Sequence, residues 1–218
     1  RETIELSRLA ESIGYRALLV VVPYYNKPSQ AGLLQHFRAV ADAVAGTVIL
    51  YNVPGRTGIS LSAETIVELA GHPRIRAIKE ASGKMDLLRE IRSGLAAAGR
   101  TMVLLSGDDE TYSEFLAGGG HGVISVSSHV CPSAMIAIEA ARASGDGDAA
   151  RKVQEDFLPL FRDLFVEANP MPLKWMLSDL GLAENRLRLP LVPIGSASES
   201  RLRETCGKFR KDGGEYRK

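Results

Sequence analysis

Cysteine is scarce in this 218-residue chain. Cys131 and Cys206 stand far apart and form neither a metal-binding nor a redox pattern, which excludes a disulfide-stapled scaffold and favours a reducing, cytoplasmic setting. Charge of one sign is also in short supply. Lys plus Arg number 27 against 26 Asp plus Glu, so nothing draws the chain to nucleic acid or to an anionic membrane. Long apolar runs are missing: the longest, Ala17 to Val22, is far too short to span a bilayer, and no signal or transit segment is read at the start. The four histidines, His36, His72, His121 and His129, lack zinc-ligand spacing, so no metal is expected and each reads as a surface residue. The triplet Gly118-Gly119-Gly120 matches neither a dinucleotide fingerprint nor a P-loop and reads as a tight helix-to-strand connection.

What is present suits an ordinary globular protein with a real core, 45% hydrophobic and 24% charged. Ile4, Leu6, Leu9 and Ile13 form a helical stripe stopped by Gly14, and Arg16 to Val22 reads as a strand buried on both faces. Ser29 caps a helix bearing Leu33, Phe37, Val40 and Ala41. Thr47 to Asn52 is a second strand, and Val53 to Gly58 a turn. Ser62 caps a short helix, Ile75 to Lys79 is a third strand, and a helix follows from about Lys84 to Ala98. Met102 to Leu105, a helix at Glu110 to Ala117, and Gly122 to Val126 complete the series. Short crossovers between apolar strands predict a parallel sheet built from repeated βα units. Three more helices are expected near Pro132–Ala143, Asp148–Val166 and Pro172–Leu180, and Ser196 to Lys218 reads as a solvated last helix or loose tail. The chain opens on Arg1, not methionine, and meets its first strand almost at once, so the sequence is expected to begin within a fold.

The polar residues that stand out collect where these strands end. Arg76-Ala77-Ile78-Lys79-Glu80-Ala81-Ser82-Gly83 closes an apolar run on a lysine. Either that lysine snorkels from a strand end into water, or it is a desolvated amine that loses its proton and attacks a ketone to form an imine. Tyr51 is either a core-edge tyrosine or a proton-transfer group. Arg56 is either plain surface or a fork for a carboxylate. Tyr24 and Tyr25 follow the first strand, Gly107 and Asp108 the fourth, and Ser127 the fifth. Parallel α/β folds place their active sites at the carboxyl ends of strands, whether barrel or open sheet.

Five ordered motifs, Val22 to Gln30, Tyr51 to Gly58, Ile78 to Gly83, Leu105 to Asp109 and Gly119 to Val126, resemble the class I pyruvate-dependent lyase and aldolase family of dihydrodipicolinate synthase and N-acetylneuraminate lyase. The resemblance runs from near Glu2 to about Ile194. It implies an α/β fold, a TIM (β/α)8 barrel truncated to its last five βα units plus C-terminal helices. The expected bounds are 1–131 for the partial barrel, 132–195 for a helical extension and 196–218 for a polar tail.

The resemblance further implies that Lys79 forms the imine with pyruvate and Tyr51 shuttles protons. Tyr25 joins the relay by reaching into a neighbouring subunit, the family being usually tetrameric. Arg56 holds the carboxylate of L-aspartate 4-semialdehyde, and Gly107 and Ile124 line the pyruvate pocket. No metal or organic cofactor is implied. Tyr24 and Glu2 match a lysine-responsive allosteric site. Sister aldolases acting on sugar-derived 2-keto acids generally lack arginine in the Arg56 turn, so condensation of pyruvate with the semialdehyde is the expected activity. A sister aldolase and an inactive truncated subunit are the alternatives. The barrel's first three strands, with a threonine-rich segment of the relay, are not matched, which leaves a raw edge at Arg16–Val22 and an expectation of poor folding and weak turnover.

Overall fold

The computed structural model describes residues 1–218, which divide into two compact units. The first comprises residues 1–108 with 118–124, the second residues 109–117 with 125–218.

The first unit is a five-stranded sheet in the order β1-β2-β3-β4-β5, formed by Ala17–Val21, Thr47–Asn52, Ile75–Glu80, Val103–Ser106 and Gly122–Val123. Every adjacent pair is parallel. These are successive βα units, as the expected barrel requires, with helix α1 (Glu2–Ser12) before the first strand and α2 (Gln30–Ala43), α3 (Pro54–Thr57), α4 (Ala63–Leu69) and α5 (Met85–Ala97) between the strands. The caps are those the sequence predicts: Ser29 Oγ accepts from the Gly32 amide and Ser62 Oγ from the Thr65 amide.

Three features differ from expectation. The turn after β2 winds into the short helix α3, because Pro54 supplies a preset φ at its first position and Gly58, at φ +71°, closes it in the left-handed region. β5 is shorter than Gly122 to Val126. Third, β1 is not buried on both faces. Leu18 and Val20 lie under the helix layer, whereas Leu19 on the opposite face is 45% exposed. The same holds for α1, whose apolar residues Leu6, Leu9 and Ile13 stand in solvent.

The second unit is helical: α6 (Tyr112–Ala117), a 3-10 turn at Ser127–His129, α7 (Pro132–Ala143), α8 (Gly147–Asp163), α9 (Met171–Asp179) and α10 (Ser196–Cys206), then the hairpin β6 (Arg210–Asp212) and β7 (Glu215–Arg217). The C-terminal segment is not loose. Tyr216 is fully buried with Leu202 and Cys206. Its hydroxyl donates to Asp179 Oδ2 at 2.6 Å, its amide donates to the Val130 carbonyl at 2.7 Å, and Glu215 Oε2 accepts from the Ser133 amide in the first turn of α7. The segment's polarity misleads because its larger apolar residues, Leu202, Cys206, Phe209 and Tyr216, occur singly, and these four are turned inward.

Candidate active site

One strand irregularity sets the site. The β2–β3 ladder opens with Val48 paired to Ile75 and steps at once to Ile49 paired with Ala77, so that Arg76 is skipped. Beyond this bulge Tyr51 faces Lys79, and Asn52 faces Glu80. Neighbouring residues on a strand point to opposite faces, so the two pairs lie back to back.

On the front, the Lys79 ammonium nitrogen sits 4.5 Å from the centroid of the Tyr51 ring. Lys79 is only 9% exposed and Tyr51 half-buried. Burial pushes the Tyr51 phenol above its ordinary pKa, and the Arg56 guanidinium pulls it part of the way back. That influence brings Arg56, carried on α3, into the field of the same hydroxyl. Thr57 beside it is buried, its hydroxyl 2.8 Å from the Ile59 carbonyl and 3.2 Å from that of Val53, so it braces its own turn.

The third wall comes from the end of β4. The Gly107 amide donates to the Glu80 carbonyl at 2.7 Å. A Cβ at Gly107 would lie 2.6 Å from Ala81 Cβ and 2.7 Å from Lys79 Cε, so only glycine leaves room for the lysine stem. The Ile124 amide donates to the Ser106 carbonyl at 2.9 Å and continues the β4–β5 ladder past the end of the short β5. Tyr51, Lys79 and Gly107 therefore converge, with Ile124 on the adjoining strand end and Arg56 on the short helix that follows β2.

The other expected residues lie elsewhere. Tyr25 adopts a positive φ of 71° and is 93% exposed, projecting into solvent. Tyr24 and Glu2 both line a groove of about 510 Å³ along α1 and β1, together with Leu6, Tyr15 and Leu19. Within the second unit, the Ser127 hydroxyl is committed to Asp109 Oδ2 at 2.8 Å, which also accepts the Ser127 and Val126 amides. It serves as a brace for the turn after β5.

Sequence reasoning passed over the rear pair Asn52 and Glu80 and the buried carboxylate of Asp109. A signal existed for the pair: Asn52 follows Tyr51 and Glu80 follows Lys79 on their strands, and period-two alternation sends each to the opposite face. Asp109 lies beyond the end of β4, where no such alternation applies. No group of three or more His, Cys, Asp or Glu side chains is arranged to hold a metal ion, and no helix is long and apolar enough to cross a membrane.

Residues 1–208 match the Dihydrodipicolinate synthetase family. The 4-hydroxy-tetrahydrodipicolinate synthase of Alcanivorax borkumensis is 49% identical over 209 residues, which cover 94% of this chain and 70% of that protein. The enzyme of the same name from Bdellovibrio bacteriovorus is 52% identical over 202 residues, covering 92% of this chain and 68% of the relative. Among solved structures, dihydrodipicolinate synthase of Acinetobacter baumannii, complexed with pyruvate, superposes with a TM-score of 0.88 at 41% identity, over 94% of this chain and 69% of that one. The Thermotoga maritima synthase gives 0.90 at 38% identity, over 94% and 70%. With ordered motifs, strand topology and sequence in agreement along nearly its whole length, the chain belongs to the dihydrodipicolinate synthetase family.

Proposed function

We propose that the chain condenses pyruvate with L-aspartate 4-semialdehyde to 4-hydroxy-tetrahydrodipicolinate, through an imine on Lys79. The observation that carries this reading is the enclosed lysine lying 4.5 Å from the Tyr51 ring, with the Arg56 charge acting on the same phenol. The Lys79 amine adds to the C2 ketone of pyruvate and water leaves, giving a protonated imine. That imine withdraws electrons, so the pyruvate methyl loses a proton and becomes an enamine carbon. The enamine attacks the aldehyde, forming the new carbon–carbon bond, and its oxygen takes up a proton. The semialdehyde's own amine then adds to the imine carbon and expels Lys79, closing the ring and restoring the free enzyme. No step consumes a redox equivalent, and the lysine itself supplies the covalent chemistry.

Tyr51 suits the proton shuttle, because a phenol whose pKa is raised stays protonated at neutral pH yet can exchange its proton through a hydrogen-bonded partner. Arg56 is the cation for the semialdehyde carboxylate, and Gly107 and Ile124 border the pyruvate. Tyr25 completes the relay in a second copy of the chain. Its full exposure supports an oligomeric enzyme, since a relay tyrosine in solvent acts only once another site receives it. Tyr24 and Glu2, sharing one groove, are assigned to a lysine effector site. Two buried free thiols suit a cytoplasmic setting.

Incubation with pyruvate and borohydride should add one reduced pyruvyl group to the peptide holding Lys79, detected by mass spectrometry. An unmodified Lys79 would overturn the reading. Assays with the semialdehyde, N-acetylneuraminate and 2-keto-3-deoxy sugar acids distinguish the synthase from sister aldolases. Arg56→Ala should raise KM for the semialdehyde by about ten-fold or more while trapping of pyruvate stays within about three-fold. Equal losses in both would remove Arg56 from the carboxylate.

A further inference from the structure

Behind the Tyr51–Lys79 pair lies a second pair that the reaction does not touch. Asn52 is fully buried and Glu80 is 3% exposed. Asn52 Nδ2 donates to Glu80 Oε1 at 3.0 Å and to Ser60 Oγ at 3.1 Å. Asn52 Oδ1 accepts the Leu61 amide at 3.0 Å, and Glu80 Oε1 also accepts the Ser82 amide at 2.9 Å. One amide–carboxyl unit therefore fastens two loops. It ties down the far end of the 53–61 segment, whose middle carries Arg56, and the start of the loop that follows Lys79. Backbone bonds join the same strand ends, from the Ala81 amide to the Asn52 carbonyl and from the Gly107 amide to the Glu80 carbonyl.

A buried carboxyl group beside a buried amide is costly unless each bond is made, and the cost needs a return that packing alone does not provide. We propose that Asn52 and Glu80 are positioning residues that hold the Arg56 turn at a fixed height over Lys79. The near end of that turn is anchored by β2 itself. Its far end depends on the Asn52 side chain, helped by Gln30, which donates to the Ser60 carbonyl and accepts the Ser62 amide. Without Asn52 the helix α3 pivots on its β2 end, and a shift of an ångström in the guanidinium is enough to lose the second substrate while leaving the imine step in place. This inference rests on the function proposed above for Lys79 and Arg56.

The test uses the full chain and reads hydrogen exchange as well as activity. In Asn52→Ala, amides of the 53–61 peptide should exchange about ten-fold faster or more, with the 75–80 strand peptide unchanged. KM for the semialdehyde should rise about ten-fold, while borohydride trapping of pyruvate stays within about three-fold. Glu80→Gln keeps the Oε1 acceptor and should behave close to the parent. Ser60→Ala, which removes only the hydroxyl link, should shift both readouts in the same direction by less, and it decides the matter if Asn52→Ala does not fold. Unchanged exchange in 53–61 overturns the proposal. So does a loss spread equally over 75–80, with trapping and KM impaired in proportion. If the parent chain forms no pyruvate adduct, the proposed function fails, and the exchange measurement alone still decides the positioning role.

Discussion

β1 is wholly apolar and β3 half charged, yet their burial runs the other way. In β3 every residue but Arg76 is buried, because β2 and β4 flank it and helices cover its back. β1 has a neighbour on one side only, and Leu19 on its open face is 45% exposed. The contrast extends to chemistry. At the sheet centre a lysine is enclosed by a tyrosine from one neighbour and by a glycine at the end of the other. At the edge Tyr24 and Tyr25 stand in solvent. Local sequence sets the strand, but the strands on either side decide whether a polar residue at its end becomes a site.

The sharpest way to break this contrast is at its centre. Lys79→Arg keeps charge and length but cannot form an imine, so the condensation should fall by about a thousand-fold or more, with no pyruvate adduct and a melting curve close to the parent's. A residual rate near the parent's would mean that Lys79 is a structural lysine. Next in size is Gly107→Ala. The new methyl would press on Ala81 Cβ and Lys79 Cε, and the lysine, being the more movable, gives way. Pyruvate trapping should slow by about a hundred-fold, with a stability loss of about 1–3 kcal/mol. Normal trapping kinetics would show that the lysine stem has more room than the geometry gives it.

Much of this was legible in the sequence, for identifiable reasons. The five parallel strands follow from apolar runs of strand length separated by capped helices, and Ser29 and Ser62 act as the caps they resemble. Lys79, Tyr51 and Arg56 could be named because each ends or follows a strand, where parallel folds gather chemistry. Their mutual distance could not be named, because it depends on the bulge that skips Arg76, and no local pattern marks it. The exposure of Leu19 was hidden for the opposite reason: period-two alternation is erased in a run where every residue is apolar. The docking of Tyr216 was missed because burial there comes from long-range bonds to Val130 and Asp179, to which polarity along the chain is blind.

The smallest expected effects lie at the edge and sharpen the comparison through a matched set. Ile78→Ala in β3 removes a side chain with no exposure and should cost about 2–5 kcal/mol in urea unfolding. Leu19→Ala in β1 should cost less than about 1 kcal/mol, because nearly half of that side chain already faces water. Leu19→Lys should be almost neutral for stability. Yet it places a charge on the open face beside an unpaired strand edge, the device by which proteins suppress edge-to-edge pairing. Light scattering of the concentrated chain should therefore show less association for Leu19→Lys than for the parent, at the same unfolding midpoint. If Leu19→Lys instead destabilises as much as Ile78→Ala, β1 is covered in solution by a neighbour that gives it the surroundings β3 already has. The difference between the two strands would then belong to the isolated chain and not to the working protein.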